Sequence, residues 1–534
     1  MPVLDWIGKK QVINHDKEVP FRLLKRVNSL SVGESENLII KGDNLEALKA
    51  LLPYYYRKVK CVSIDPPYNT GNENWIYNDK VNSPEIKKWL GKVVGSEGED
   101  LSRHDKWLCM MYPRLKLLRE LLSDDGVIFV NIDDDEQHHL RMMMNEIFGA
   151  ENFVTNIIWQ KKFSPQNDAK YFSDMHDFIV VYAKHKNAGS ETIGWKRNLL
   201  PRTEAMDERY SNPDNDTRGT WTSGDLSVKT YTPSTDYPIK TPSGRIVNPP
   251  RGYCWRVSKE KFQELVKDKR IWFGKKGNNV PRLKRFKTDV QEGIVPVTIW
   301  FHQEVGHNQE AKQVLKQILP DAKMPFQTPK PVRLIKRLIE LSCDKDSIIL
   351  DSFSGSGTTA HAVLELNKED GGNQKFILVE MENEIARKVT AERVKRVIKG
   401  YTYKNSKGGD IKIEGLGGGF QFMNLDTELF DAHGLINDDI TYIDLARYIF
   451  FSETKLDLKE KMVKDYFIGD NNGTKYYLIY KQNGKNVLNE RIASKLKKTD
   501  KQKVVYADNC TLDAETLDEL RITFKQIPYE VKGF

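Results

Sequence analysis

The sequence predicts an α/β protein with a doubly wound, mostly parallel sheet, an insertion within the sheet domain and a smaller α/β domain after it. Short apolar runs of strand length alternate with helical stretches over residues 36–150, and the alternation returns at about residue 326. Between these parts the chain is rich in Pro, Gly, Asn, Lys and aromatic residues. The predicted regions are 1–154 and 306–414 for the two parts of the sheet domain, 155–305 for the insertion and 420–534 for the last domain.

In the first part of the sheet domain, a turn and a helix follow the first strand, and the pattern then repeats. Asp43 and Asn44 follow a turn at Gly42, and either can cap a helix because its side-chain oxygen accepts a backbone N–H. The acidic run 133–136 stands at a strand-to-helix junction, which favours helix capping over metal binding. The predicted elements of this part are strands 38–41, 59–64 and 127–132 and helices 45–52, 104–122 and 136–148.

The same alternation resumes after the insertion, and a glycine-rich stretch at 415–419 separates it from the last domain. In the insertion, helical periodicity is confined to 259–267. The predicted elements after the insertion are helices 331–343 and 359–366 and strands 348–351, 375–380, 475–481, 503–507 and 521–528.

Composition excludes several classes of protein. The chain has 534 residues, enough for a large core. No apolar stretch approaches the roughly 18–20 residues of a membrane span, and the N-terminus lacks the charged head and apolar core of a signal peptide. The five cysteines are scattered and form no CxxC pair, so neither a zinc site nor a disulfide framework is predicted. We expect a cytoplasmic, prokaryotic protein with reduced thiols and no metal.

The basic charge is concentrated in the insertion. The whole chain has a net charge of +8, and residues 155–305 hold 26 Lys and Arg against 17 Asp and Glu. This composition is typical of a surface that contacts nucleic-acid phosphates, although a solvated lysine-rich surface shares it. Cations can hold phosphates, and aromatic residues beside them can stack on bases. The candidate DNA-binding residues are Lys161, Lys162, Arg256, Lys275, Arg282, Lys284 and Arg285.

The tetrapeptide Asp65-Pro66-Pro67-Tyr68 directly follows predicted strand 59–64, where open α/β sheets place their sites. It suits chemistry on the exocyclic amine of a base, whose lone pair is conjugated into the ring. Asp65 and the Pro66 carbonyl can accept the amine hydrogens, and the two prolines stiffen the turn. Tyr68 can stack on a base that has left the duplex. The alternative is a rigid turn in which Asp65 acts as a cap.

A second turn, 351–359, joins a predicted strand to a helix. Gly355 and Gly357 permit close approach of the backbone to a ligand, and no GK[ST] follows, so the turn is not a P-loop. Glu380 ends the next predicted strand, at about the distance at which a Rossmann-like site places an acid on ribose hydroxyls. Together these features indicate a nucleoside cofactor rather than a generic strand-turn-helix.

With these two motifs in this order, the chain resembles the β-class DNA adenine-N6 methyltransferases, and more closely the modification (Mod) subunits of type III restriction-modification systems. The resemblance covers nearly the whole chain. It implies a Rossmann-like, S-adenosylmethionine-dependent methyltransferase sheet interrupted by a target-recognition domain, and catalytic roles for Asp65, Pro66, Pro67 and Tyr68. It places Lys330 at the cofactor carboxylate and Asp43 at the adenine ring. The implied cofactor-binding residues are Asp43, Lys330, Asp351, Phe353, Gly355, Gly357, Thr358 and Glu380.

The resemblance also implies an activity and partners. The implied activity is site-specific methylation of adenine N6 in double-stranded DNA. The implied assembly is a homodimer with an ATP-dependent restriction (helicase–nuclease) subunit as partner. The last domain is a candidate subunit contact. Adenine is expected because the cytosine-N4 enzymes more often carry Ser at the position of Asp65. A solitary methyltransferase, a cytosine-N4 methyltransferase, a non-catalytic DNA-specificity subunit and an RNA or protein acceptor stay open as alternatives.

Overall fold

The computed structural model describes residues 3–70, 103–187, 194–290, 293–321, 326, 328–431, 433–482, 484–496 and 501–527. Within this part of the chain, one mixed sheet contains the strands β1 (Arg22–Arg26), β2 (Leu38–Lys41), β3 (Val59–Ile64), β4 (Leu122–Ile132), β5 (Phe153–Gln160), β6 (His176–Ala183), β7 (Ile299–Trp300), β8 (Ile348–Asp351), β9 (Lys375–Glu380) and β10 (Gln421–Glu428). Their spatial order is β1-β10-β2-β9-β8-β3-β4-β6-β5-β7. The predicted α/β fold class is therefore correct.

The middle of the sheet is parallel. Strands β2, β9, β8, β3 and β4 run in one direction, so their carboxyl ends meet at one edge. Apart from residues 123–126 of β4, these strands are mostly apolar and buried, as is usual where helices cover both faces of a parallel sheet. The segment between predicted helix 104–122 and predicted strand 127–132 is part of β4. Leu122 pairs with Val59 and Val127 with Cys61, so residues 123–126 bulge from the strand. Strands β6 and β5 extend the sheet in antiparallel fashion.

The principal helices are α1 (Asn44–Tyr55), α2 (Arg103–Leu121), α3 (Gln137–Phe148), α4 (Asn308–Ile318), α5 (Val332–Ser342), α6 (Thr358–Asp370), α7 (Ala391–Lys399) and α8 (Tyr442–Thr454). Asp43 caps α1 as predicted, since its Oδ1 accepts the N–H groups of Leu45 at 2.8 Å and Glu46 at 3.3 Å. Short helices are Lys9–Val12, His15–Glu18, His302–Val305 and Asn383–Ile385. No helix of the described ranges is long and apolar enough to cross a membrane.

The chain divides into two compact units, one formed by 1–198 with 297–534 and the other by 199–296. The predicted insertion boundary at 155 lies inside β5, and both β5 and β6 belong to the main sheet. The smaller unit has its own core, which includes Leu226, Trp255 and Phe262. Its elements are strands Trp221–Asp225, Ser227–Val228, Ile239–Lys240, Ile246–Val247, Cys254–Trp255, Ile271–Trp272 and Arg282–Phe286 and helices Glu204–Asp207 and Lys259–Lys267.

The glycine-rich stretch 415–419 does not separate two independent sheets, because the chain continues directly into β10 of the main sheet. Leu416 donates its N–H to the Val397 carbonyl at 3.0 Å, and Gly417 donates to the Ile398 carbonyl at 3.1 Å.

Beyond β10 lies a four-stranded sheet of Phe467–Asn471, Thr474–Leu478, Gln502–Ala507 and Ile522–Gln526. Smaller elements are strands Gly400–Lys404, Asp410–Glu414, Val487–Leu488 and Asn509–Cys510 and helices Glu490–Ala493 and Ala514–Glu519.

Candidate active site

A cavity of about 400 Å³ opens where β2, β9, β8, β3 and β4 end. This is the edge at which the sequence places both motifs. Its ionisable lining groups are Asp65, Asp133, Asp174, Asp177, Glu380, Glu382, Arg114, Lys161, Lys162 and Lys330, and its other lining residues include Asn44, Pro66, Pro67, Tyr68, Phe326, Phe353, Gly355 and Met381. Acids, cations and aromatic rings therefore converge on one space of a size that is ordinary for a small-ligand site.

The tetrapeptide at the end of β3 is held from two sides. The Trp107 indole N–H donates to the Pro67 carbonyl at 2.7 Å, and the Asn131 side chain donates to the Ile64 carbonyl at 3.1 Å. Both donors are buried, so these bonds are shielded from water. With φ fixed at each proline, the turn presents Asp65 to the cavity in one orientation. Trp107 has no motif around it that sequence analysis could have used.

Asp65 is bound by a cation within the protein. The Lys330 ammonium donates to Asp65 Oδ1 at 2.6 Å and to Oδ2 at 2.7 Å. Lys330 is 8% exposed, and its Nζ lies 4.9 Å from the centroid of the Tyr68 ring. The resemblance implied that Lys330 meets the cofactor carboxylate, whereas its contacts here are with the chemistry motif.

Tyr68 stays a neutral phenol in this environment. Burial, and then the charge of Asp65, raise the pKa of its hydroxyl well above the ordinary value. A neutral aromatic ring beside Asp65 suits stacking on a flat base.

The glycine turn after β8 has the backbone conformation that its glycines allow. Gly355 has φ +46° and Gly357 has φ +75°. The Gly355 N–H donates to Glu380 Oε2 at 2.9 Å, and the Thr390 hydroxyl donates to the Gly355 carbonyl at 2.6 Å. A Cβ at Gly355 would lie 2.5 Å from Cζ of Phe326. The turn is therefore tied to the end of β9, and a side chain at Gly355 would have to displace the Phe326 ring.

Two buried carboxyls flank the turn. Burial raises the pKa of Glu380 to about 8, against the lowering effect of the N–H groups of Glu382 and Gly355. Burial raises the pKa of Asp351 to about 7, against bonds from the Thr359 hydroxyl at 2.6 Å and the Phe353 N–H. Glu380 faces the main cavity, whereas Asp351 lines a small neighbouring one and anchors the turn.

The remaining predicted cofactor-binding residues also differ in the cavity that they line. Phe353 lines the main cavity, and Thr358 lines only the small neighbouring one. The Thr358 hydroxyl accepts from the buried Arg393 guanidinium at 2.8 Å. Asp43 uses Oδ1 to cap α1, and its Oδ2 accepts from Arg114 at 3.0 Å. Asn44, rather than Asp43, lines the cavity.

Four acids that line the cavity, Asp133, Asp174, Asp177 and Glu382, are not among the predicted site residues. Asp177 lies on β6, is 2% exposed, and accepts from the Lys161 ammonium at 2.6 Å. Burial raises its pKa, although Lys161 acts in the opposite direction. Asp133 follows β4 as Asp65 follows β3; burial, and then the Asp135 carboxylate, raise its pKa to about 7. The position of Asp133 at a strand end could have indicated from the sequence that it belongs to the site. Asp177 lies on an antiparallel strand, where no such signal exists.

The predicted DNA-binding cations lie in both units of the chain and differ in their surroundings. Lys161 and Lys162 line the cavity of the larger unit. Arg256, Lys275, Arg282 and Arg285 are exposed in the smaller unit, and Arg282 forms an ion pair with Asp225.

For Lys284 the prediction of a phosphate contact is wrong. Lys284 is 4% exposed, and its ammonium binds the carboxylates of Asp214 and Asp216. The pairing of its strand turns it inward, whereas the neighbouring Arg285 stays on the surface. The carboxylates of Asp214 and Asp216 therefore neutralise a charge that the sequence assigned to DNA.

Three side chains of types that bind metal ions lie together beside Asn69, the residue after the tetrapeptide. The ligand atoms of His104, Glu136 and His139 lie within 4.8 Å of one another. Hydrogen bonds account for the arrangement: the fully buried Glu136 carboxylate pairs with His104 Nδ1 at 2.7 Å and His139 Nδ1 at 2.8 Å, and it accepts from the Asn69 side chain. The cluster fixes Asn69, which directly follows the tetrapeptide.

The acidic run at this junction does not cap α3 through the N-cap side chain, contrary to the prediction. Glu136 occupies the N-cap position but makes no capping bond, because its carboxylate turns inward to the histidines. The Asp133 carboxylate accepts the Asp135 N–H at 3.1 Å instead.

Comparison with known proteins gives consistent matches. The family model described as DNA methylase matches residues 59–392. The Mod subunit of the type III restriction-modification enzyme StyLTI of Salmonella typhimurium is 36% identical over 376 residues, covering 67% of this chain and 54% of that protein. The Mod subunit of the EcoPI enzyme of Escherichia phage P1 is 30% identical, covering 85% and 75%. The type II methyltransferase M.KpnI of Klebsiella pneumoniae is 30% identical, covering 69% and 86%. The chain thus spans about half the length of the first relative and three quarters or more of the other two.

Proposed function

The chain belongs to the DNA methylase family, and on that premise we propose that it transfers a methyl group from S-adenosylmethionine to the N6 amine of adenine in double-stranded DNA. One observation carries the proposal. Asp65 follows β3 and the glycine turn follows β8, and these strands are adjacent and parallel, with Ile349 paired to Cys61. An acceptor for the amine and a backbone turn for the cofactor thus share one cavity.

The residues of the cavity fit S-adenosylmethionine, which supplies an electrophilic methyl group whose sulfur keeps the electron pair of the broken bond. The Glu380 carboxyl, 8% exposed at the end of β9, is suited to ribose hydroxyls. Phe353 and Gly355 offer a ring and bare backbone for the methionine part. These assignments, and that of Asp43 toward the adenine ring, are parts of the proposal.

The chain's own residues activate the amine. The Asp65 carboxylate and the Pro66 carbonyl accept its two hydrogens, which favours a pyramidal nitrogen whose lone pair is free to attack. Asp65 takes the proton that N6 loses when the N–C bond replaces the methyl–sulfur bond. Tyr68 stacks on the base that has entered the cavity.

Sequencing of host DNA with modified-base detection tests the function. A host without N6-methyladenine that expresses the chain should acquire this base at one defined sequence. Asp65→Ala should leave the DNA unmodified while S-adenosylmethionine binding, measured by calorimetry, persists. Asp439→Ala, which removes an exposed carboxylate, is the matched control.

Other outcomes of this experiment select the alternatives. N4-methylcytosine in place of N6-methyladenine would change the assigned base. Cofactor binding without any modified base would favour a non-catalytic specificity subunit. In that case, transfer of a labelled methyl group to RNA or protein, measured in a separate assay, would identify a different acceptor.

We also propose that the chain is the modification subunit of a larger assembly, with an ATP-dependent restriction subunit as partner and a prokaryotic cytoplasm as its compartment. Similarity to two type III Mod subunits supports this, and similarity to a type II methyltransferase keeps the solitary enzyme as the second candidate. Co-purification with the products of neighbouring genes separates them. An ATPase–nuclease partner is the expected result, and its absence would favour the solitary enzyme.

A homodimer is the proposed state, with the last domain as a candidate contact. Since β10 belongs to the main sheet, a truncation that tests this domain must retain residues up to 428. Deleting 429–534 should lower the mass measured by light scattering to that of a monomer and change cofactor binding much less. A full-length monomer with complete activity would refute the dimer.

A further inference from the structure

Two adjacent aromatic rings stand in solvent on one loop. Tyr171 is 81% exposed and Phe172 is 95% exposed, the highest values among the large apolar side chains of the described residues. Such exposure of two neighbouring rings leaves their apolar area in water, which is unfavourable unless a partner covers it.

The loop that carries the rings has a defined form. Residues 161–175 join the antiparallel strands β5 and β6, and the Lys161 N–H donates to the Met175 carbonyl at 2.9 Å to close the loop. Inside it, the Gln166 N–H donates to the Ser173 hydroxyl at 2.7 Å. The rings therefore stand near the tip of a structured hairpin.

The base of this loop is part of the cavity wall. Lys161, Lys162 and Asp174 line the cavity that contains Asp65. The Lys161 ammonium is held at 2.6 Å by both Asp174 and the buried Asp177, so ion pairs anchor the base of the hairpin. The exposed tip thus projects from the rim of the site in which the base is modified.

One cation of the loop lies beside an exposed ring. The Lys170 ammonium lies 5.3 Å from the centroid of the Tyr171 ring. A cation beside an exposed ring is the pairing that holds a phosphate while the ring stacks on a base.

We propose that Tyr171 and Phe172 form a wedge that enters the DNA duplex and stacks in the space left by the adenine when it moves into the cavity. This inference rests on the proposed function. An adenine inside a duplex cannot reach Asp65 without leaving the stack, and that step costs unstacking and unpairing energy. Aromatic rings that occupy the gap recover stacking energy.

The test uses two duplexes that contain the recognition sequence found by modified-base sequencing. In one the target adenine faces thymine, and in the other it faces an abasic position, which lowers the cost of extrusion. Single-turnover methylation is measured for the wild type, for the double variant Tyr171→Ala/Phe172→Ala and for Phe172→Trp. The control is Leu435→Ala/Leu456→Ala, which removes two half-exposed apolar side chains elsewhere. Calorimetry with S-adenosylmethionine reports whether each variant is folded.

The double variant should methylate the paired duplex about 10- to 100-fold more slowly than the wild type, and it should approach the wild-type rate on the abasic duplex. Phe172→Trp keeps a ring and should retain the rate on both. An equal loss on both duplexes, or no loss on either, would overturn the wedge. Normal methylation combined with lost binding of a protein subunit would assign the rings to that subunit. If the wild type modifies neither duplex, the proposed function fails instead.

Discussion

The Lys330 ammonium donates to both carboxylate oxygens of Asp65, at 2.6 and 2.7 Å. The two residues come from different parts of the sheet domain, since Asp65 ends β3 and Lys330 precedes α5. The ion pair is largely shielded from water, because the Lys330 side chain is 8% exposed. An amine that enters the cavity thus meets a carboxylate whose orientation is already set.

Replacing Lys330 by Met should slow methyl transfer by about 10²-fold, because a displacement of about 1 Å in a reacting group costs that much. Cofactor affinity, measured by calorimetry, should change little if Lys330 acts through Asp65. Lys330→Arg keeps the charge and should recover part of the rate. Lys336→Met, in helix α5, removes ion pairs with Glu365 and Glu369 of α6 and is the control. A large loss of cofactor affinity with an unchanged rate at saturation would instead indicate that Lys330 binds the cofactor carboxylate.

Gly355→Val should weaken S-adenosylmethionine binding and lower the free energy of unfolding. Its φ of +46° is unfavourable for a β-branched residue, which costs about 1–3 kcal/mol. The new Cβ would also push on the Phe326 ring in the cavity wall. Gly371→Val is the matched control, because Gly371 has φ +68° and nothing within 4 Å of a new Cβ. Unchanged affinity in folded Gly355→Val would place the cofactor elsewhere.

The stability of the ligand-free protein should fall as pH rises, in part because of Glu380. Burial raises the pKa of this carboxyl from 4.5 to about 8 in the folded chain. The folded state therefore holds the proton more tightly, so the stabilisation is complete below the unfolded pKa and is lost as pH rises through about 8. Glu380→Gln should show a smaller fall in Tm between about pH 6 and pH 8.5.

The control for Glu380→Gln is Glu369→Gln, which alters an ion pair between the exposed Glu369 carboxylate and Lys336. Asp133 and Asp351, each with a pKa raised to about 7 by burial, should leave part of the slope in place. An identical slope in Glu380→Gln and the wild type would mean that Glu380 is ionised in the folded protein.

Changing Arg256, Arg282 and Arg285 together to Gln should weaken DNA binding and flatten its salt dependence. Each lost phosphate contact should lower the log–log salt slope by roughly 0.9. Lys284 is left out because its ammonium is buried between two carboxylates. A triple change of the exposed Lys459, Lys461 and Lys464 removes the same charge elsewhere and should leave the slope unchanged. If the arginine variant keeps the wild-type slope, these residues belong to a solvated surface.

The sequence by itself determined the strands and turns on which the site is built. Runs 348–351 and 375–380 were predicted with the bounds that the structure has. They are recognisable because a strand buried on both faces of a parallel sheet needs continuous apolar residues. Asp65 and Gly355 follow such strands, and the stiffness of the prolines and the conformational freedom of glycine are properties of the residues themselves.

Only the tertiary structure decided which side chains complete the site. Lys330 meets Asp65, and Asp177 reaches the cavity, because the order of the strands brings distant segments to one edge. Lys284 shares a basic cluster with Arg285, yet strand pairing buries the first and exposes the second. Local patterns report propensity and burial along one segment. They do not encode which segments become neighbours, because the energy of long-range packing selects those pairs.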